Sequence, residues 1–257
     1  EAINWFRRAS NQGNGSSKHA LAMAYFNGEG VRQDRLKAIE MFKVAALQNN
    51  SDSIVILGSL NENGEVLEKS FDKAFYWYNK AAMLGDAKGQ YLTAKALKNA
   101  IGTEKDLTKS FEWFELSADQ NLPEAKLELA YAYREGLGVE KNATEAFKWF
   151  LASAEDGDRT AQNEVGKSLR DGSGTPRDAK GAFKWFEKSA NLGDRDAMTN
   201  LALAYLDGQG VIRDIEAAIT WLKNGSSREE PRADYHLGKL YASGTHLEKN
   251  ENEAFSL

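Results

Sequence analysis

The side chains of this chain that could do chemistry are three histidines, 38 carboxylates and a file of lysines and arginines at regular spacing. His19, His236 and His246 lack the close helical or turn spacing with which imidazoles converge on one metal ion, so no metal site is expected. The absence of cysteine excludes disulfides, thiolate ligands and cysteine nucleophiles. Glycosidase-like hydrolysis needs two carboxyl groups facing each other in a cleft, whereas most carboxylates here stand at helix starts or on solvated faces. Glycine pairs such as Gly136 and Gly138 follow no strand and read as turns, not phosphate cradles. No catalytic residue and no cofactor is assigned.

One constellation stands above this background. On a helix whose core stripe is centred on residues such as Leu129 and Tyr133, the positions two and five after the leucine point away from that stripe. In three successive units these positions hold Lys95 and Lys98, Tyr131 and Arg134, Lys167 and Arg170, a basic ladder with one aromatic rung. Elsewhere the same columns carry Met23 and Phe26, and Leu203 and Leu206, which read as exposed apolar ends. Such a band on a chain of net charge -5 suits an acidic or extended partner segment, held by charge-assisted contacts and apolar anchors. The plainer alternative is a solvated charged face.

The elements that must position the ladder are set by a repeat. Trp5, Trp77, Trp113, Trp149, Trp185 and Trp221 are separated by 36 residues or multiples of it, the mark of a repeat array. Three positions before the tryptophan column stands a small residue: Ala2, Ala38, Ala74, Ser110, Ala146, Ala182, Ala218, Ala254. One position after it stands Phe6, Phe42, Tyr78, Phe114, Phe150, Phe186 or Leu222, followed by a small pair such as Ala45 and Ala46. Small and large residues at spacings of three and four form one face of a helix. A second stripe, Ala125, Leu129, Ala130, Tyr133 and Gly136 in one unit, precedes it, so each unit holds two helices. Small residues let the helices approach, and the aromatic columns are expected to fill the space between hairpins.

Punctuation agrees with this reading. Asp34, Ser70, Asp106, Asn142, Asp178, Asp214 and Asn250 stand where caps of the second helix belong. Asn14, Asn50, Asp86, Asp158, Asp194 and Glu230 stand before the first, and Pro123 and Pro231 open two first helices. Gly28 and Gly30, Gly136 and Gly138, Gly172 and Gly174, Gly208 and Gly210 turn the chain between helices. The array divides into a partial repeat 1–13, repeats 14–49, 50–85, 86–121, 122–157, 158–193 and 194–229, and a partial repeat 230–257. All of residues 1–257 form one all-α solenoid of about seven hairpins, right-handed by analogy with other helical-hairpin arrays.

Composition bounds the function. With 42% hydrophobic and 28% charged residues the chain is ordinary folded protein, and its pI near 5.4 argues against a nucleic-acid partner. No run of about 18 apolar residues exists, so no membrane insertion is expected within this sequence. Both ends fall inside repeat units, so the sequence reads as a piece of a longer protein whose signal or anchor could lie outside it. The sequons at Asn14, Asn49, Asn142 and Asn224 matter only in a secretory pathway.

These columns resemble Sel1-like repeats, a tetratricopeptide-like family, and the unit from Glu124 to Asp158 matches nearly throughout, with Ala125, Leu129, Ala130, Tyr133, Gly136, Gly138, Val139, Ala146, Trp149, Phe150, Ala154 and Gly157. Two units depart: one has Leu97 and Ala100 for Tyr and Gly, the other Asn61 and Val66 for Tyr and the second Gly. The resemblance implies a non-catalytic scaffold or adaptor that binds proteins through its concave groove, bacterial, with the periplasm or envelope favoured over the cytoplasm. It also admits an immunity protein that neutralises a secreted effector, and, in another class, a peptidoglycan-related envelope enzyme or binder.

Overall fold

The structure, a computed structural model, describes residues 2–243. Gly244, His246, Asn250 and Ala254 of the sequence pattern lie outside the described residues. Fourteen α-helices and no strand occur among those described. They are α1 (Ala2–Asn11), α2 (Gly15–Asn27), α3 (Arg35–Leu47), α4 (Ser51–Asn63), α5 (Phe71–Met83), α6 (Ala87–Asn99), α7 (Leu107–Asp119), α8 (Pro123–Glu135), α9 (Ala143–Glu155), α10 (Arg159–Asp171), α11 (Ala179–Asn191), α12 (Arg195–Asp207), α13 (Ile215–Ser226) and α14 (Pro231–Ser243). Even-numbered helices are the first of each hairpin and odd-numbered ones the second. The chain forms two compact units, one of Glu1–Ala132 with Gly136–Glu140, the other of Tyr133–Glu135 with Lys141–Leu257.

The helices begin where capping chemistry places them. Asp34, Ser70, Asp106, Asn142, Asp178 and Asp214 each accept a bond from a first-turn amide of the second helix. Asn14, Asn50, Asp86, Asp158 and Asp194 do the same for first helices. Leu122 gives no side-chain cap to α8, where Pro123 at the first position removes one orphan amide instead. The caps also lock the hairpin turns, because the amides of Asp34, Ser70, Asp106, Asn142, Asp178 and Asp214 donate to the carbonyls of Tyr25, Asn61, Leu97, Tyr133, Leu169 and Tyr205.

The two departing units part company here. Ala100 takes the left-handed conformation, φ 56°, that glycine takes at Gly64 and Gly136, so this turn survives at the small steric cost of a Cβ. The second glycine of the turn meets a different demand: a Cβ on Gly102, Gly138, Gly174 or Gly210 would overlap the carbonyl of Phe71, Leu107, Ala143 or Ala179 in the preceding hairpin. Val66 at that register has no left-handed backbone and instead packs partly buried on the core of its unit. Asn61 is buried in the tyrosine column and satisfied by donating to the Leu57 carbonyl at 2.7 Å.

The core is a file of small residues and rings. Phe42 packs with Ala22, Ala38, Ile39, Ala46, Ile54 and Leu57, drawn from α2, α3 and α4, and Phe186 packs with Ala182, Ala190, Ala197, Met198 and Leu201 of α11 and α12. Each buried ring contributes about 2–3 kcal/mol of hydrophobic stabilisation. The tryptophans edge this core without being enclosed by it. Trp77, Trp113, Trp149, Trp185 and Trp221 are half-buried and Trp5 is 66% exposed. One residue along a helix is a turn of about 100°, so the tryptophan column is less deeply seated than the ring after it, although Trp77 and Trp221 still pack against core clusters. The outer side of the Trp185 ring meets Lys188, whose ammonium sits 4.1 Å from the ring centre.

Candidate functional site

The ladder columns lie on the first helices, but their charges are largely spent within the protein. In the first unit Lys98 donates to Glu128 at 2.7 Å, both side chains about one quarter exposed. Lys95 makes no ion pair, and its ammonium lies 5.4 Å from the centre of the Tyr91 ring. In the second unit Arg134 donates to Glu164 at 2.6 Å and to Glu135 at 2.9 Å, and Lys167 donates to the same Glu164 at 2.7 Å. Arg170 clasps Asp171 with two bonds of 2.8 and 2.9 Å and reaches Asn200 at 3.4 Å. Burial works against the charge of Arg134, but Glu135 and Glu164 outweigh it and raise its pKa. Arg170 is raised by its bond to Asp171. The open basic band read from the sequence is therefore an alternating-charge ladder, with Lys95 its cation without a carboxylate partner among the described residues.

The expected apolar ends are not exposed. Met23 and Phe26 are half-buried and pack on the core of the first unit, and Leu206 packs on a core cluster of the second. Leu203 and Tyr131 are likewise half-buried.

What the columns do line is a recurring crevice. In the first unit a cavity of 270 Å³ opens between α5 and α6, and in the second one of 120 Å³ opens between α11 and α12. Every residue lining the first has its counterpart, three repeats on, in the lining of the second: Glu62 with Arg170, Tyr78 with Phe186, Leu92 with Asn200, Lys95 with Leu203, Ile101 with Gln209. A third cavity at the same register, between α1 and α2, is lined by Met23, Phe6 and Ala20. The column two after the leucine thus faces a crevice in three repeats.

Glycine lies under the ring that walls two of them. A Cβ at Gly166 would come 2.5 Å from the Phe186 ring, and one at Gly58 would overlap the Tyr78 ring, so each ring sits in space that alanine fills at the same register in α2, α6, α8 and α12. Tyr78 donates to Glu62 at 2.6 Å, and burial, then that bond, raises its pKa, so the hydroxyl stays a donor.

The polar groups that answer the ladder, two carboxylates and an amide, were missed from the sequence. Glu128, Glu164 and Asn200 stand one residue before the leucine column, 30 residues beyond their cations. His19 bonds Ser53 at 2.9 Å and tilts against Phe42, and burial lowers its pKa, which marks a packed neutral imidazole. Among the described residues no group of three or more His, Asp or Glu is placed to hold a metal, and no helix is long and apolar enough to cross a membrane.

With this geometry in view, comparison with known proteins places the chain. No curated protein matches its sequence. Among solved structures, c5321, a protective antigen present in uropathogenic Escherichia coli strains that displays an SLR fold, is similar at 29% identity and a TM-score of 0.91 over 99% of this chain. This chain spans about half, 55%, of that protein's length. A Sel1 repeat protein from Oxalobacter formigenes is similar at 26% identity and a TM-score of 0.82, with 93% of this chain and 94% of that one covered. The Sel1 repeat model matches residues 1–14, 16–50, 51–86, 87–122, 123–158, 160–194, 195–228 and 231–257, and with these matches running along nearly the whole all-α hairpin array, the chain belongs to the Sel1 repeat family.

Proposed function

We propose that this protein is a non-catalytic scaffold that holds extended segments of partner proteins against the first-helix face of its units. Sel1 repeat proteins typically mediate protein–protein interaction. The observation that carries the reading for this chain is the crevice repeated at one register, lined by Met23, Lys95 and Leu203 from the outward columns. Separate, side-chain-sized recesses with half-buried walls suit extended segments that each seat a side chain as an anchor. The same face can bind an acidic segment only in competition with Glu128, Glu164 and Asp171, which already hold Lys98, Arg134, Lys167 and Arg170. The crevices, more than the ladder, are the anchors in this reading.

The test is selection of peptides from a random display library on the whole chain, followed by amide-exchange mapping with an enriched peptide. Protection gathered on α6 and α12 supports the proposal. Protection confined to the second helices, or a library that enriches no peptide, overturns it.

A further inference from the structure

In the ladder column Glu62 of the first unit stands where the second unit, three repeats on, carries the guanidinium of Arg170. Arg134 and Arg170 of the second unit lie over the buried rings of Phe150 and Phe186, their guanidinium carbons 5.4 and 5.9 Å from the ring centres. Glu62 holds the same position relative to Tyr78. Lys98, Arg134 and Arg170 each find a polar partner one repeat on, whereas the residue Glu62 would meet there is Leu92. Glu62 is left half-buried, with the Tyr78 hydroxyl as its hydrogen-bond donor and no cation within ion-pair distance among the described residues. It faces a 270 Å³ crevice walled by Phe71, Phe75 and Tyr78.

We infer that the crevice between α5 and α6 is the docking site for a basic side chain, arginine or lysine, presented by an extended segment of a partner protein. The protein itself shows what fits over such a ring, because in its second unit a guanidinium already lies there. An ammonium or guanidinium entering beside Glu62 gains a charge-assisted bond from a carboxylate that accepts from Tyr78 on one oxygen and keeps its other oxygen open. Its stem would lie against aromatic faces that attract cations. Exposed Phe71 and Ile101 at the lining offer apolar contact to the residues flanking it. Lys95 also lines this crevice and opposes a basic guest. Its ammonium is held over Tyr91 and not beside Glu62, so the opposition is partial.

The inference rests on the scaffold reading and is tested apart from it. Four pools of random octapeptides, each with Arg, Lys, Met or Glu fixed at one central position, are titrated against the whole chain and against E62Q and K95M. The Arg and Lys pools are expected to bind at least about tenfold more tightly than the Met and Glu pools, the scale of one charge-assisted bond in a half-buried site. E62Q, which keeps an acceptor for Tyr78, should lose that preference. K95M should strengthen it several-fold. Peptide binding indifferent to the central residue, or a preference unchanged in E62Q, overturns the docking site while leaving the scaffold standing. A chain that binds none of the pools overturns both.

Discussion

The stretch from α4 to α6 in the first unit and the stretch from α10 to α12 in the second, three repeats apart, share one backbone and differ in chemistry. Caps, turns and glycine correspond: Asp86 and Asp194, Gly64 and Gly172, Gly58 and Gly166. Between first helices the contents diverge. Val55, Ile56, Tyr91 and Leu92 in the first unit answer to Asn163, Glu164, Thr199 and Asn200 in the second, all four of these buried. There Asn200 bonds Asn163 at 2.8 Å and accepts from Arg232 at 3.1 Å, and Thr199 donates to the buried Glu230 at 2.7 Å. Capping and small-residue columns therefore suffice to specify the hairpin, and the surfaces between first helices are free to carry an apolar seam or a polar network. The crevice follows suit, open and carboxylate-walled in one unit, smaller and guanidinium-walled in the other.

The largest expected effect separates ring from hydroxyl. Phe186→Ala empties a fully buried ring site and should cost about 3–5 kcal/mol in urea denaturation. Tyr78→Phe keeps the ring and removes only the hydroxyl that bonds Glu62 and, more weakly, Ser59, for a cost of about 0.5–1.5 kcal/mol. If the two losses matched, Glu62 and Tyr78 would be a structural pair and the first crevice no more open than the second.

Next comes the polar network. Glu164, with its side chain 10% exposed, holds both Arg134 and Lys167, so Glu164→Gln should cost about 2–3 kcal/mol. Glu128, about twice as exposed and bound only to Lys98, should lose no more than about 1 kcal/mol on Glu128→Gln. Amide exchange in α10 compared with α8 reads the contrast. Equal losses would mean that the second unit gains nothing from its doubly bonded carboxylate.

The fold was legible in sequence because it rests on columns whose chemistry is local. An aspartate that caps or a glycine that turns acts within a few residues, and its type repeats with the period. A second left-handed column, after the second helix, was harder to see because Asn49, Asn121 and Glu229 alternate with Gly85, Gly157 and Gly193. The site was legible only by half. The columns that line the crevices could be chosen from helix geometry, but the charge state of the face could not, since Lys98 and Arg134 find their partners in the next repeat. That distance depends on how far one first helix is offset from the next. The seating of the Tyr78 and Phe186 rings beside two of the crevices uses the missing methyl at Gly58 and Gly166, which a sequence reading takes for a weaker alanine.

That missing methyl gives the third prediction. Gly58→Ala and Gly166→Ala each place a Cβ in the ring's space, at an overpacking cost of about 1–3 kcal/mol, offset by about 1 kcal/mol of helix propensity. The Phe186 ring is free of hydrogen bonds and can slide toward the crevice, whereas Tyr78 is tied to Glu62. Gly58→Ala should therefore be the more destabilising, and thermal melting of the two variants decides it. The reverse order would show that Arg170 pins its ring more firmly than a hydrogen bond does.

The smallest effect is a pH dependence at one register, set by a carboxyl that only the second of the two stretches carries. Asp171 is held below the usual carboxylate range, first by its bonds to Arg170, and Asn63 stands at its register in the first unit. A carboxyl with a lower pKa folded than unfolded stabilises the fold above its unfolded value, about 3.9, and loses that contribution as the pH falls through the folded one. The side chain is 54% exposed and the pair screened, so its worth is about 0.5 kcal/mol. Asp171→Asn should lower the stability read from urea denaturation at pH 7 by that amount and match the wild type once the pH lies below the folded value, where both states are protonated. The reciprocal change Asn63→Asp places a carboxylate beside Glu62 with no arginine to receive it, so it should bring no gain at pH 7. A gain there would mean that a cation of the first unit already reaches this position, and the opposition of charge between the two crevices would fall with it.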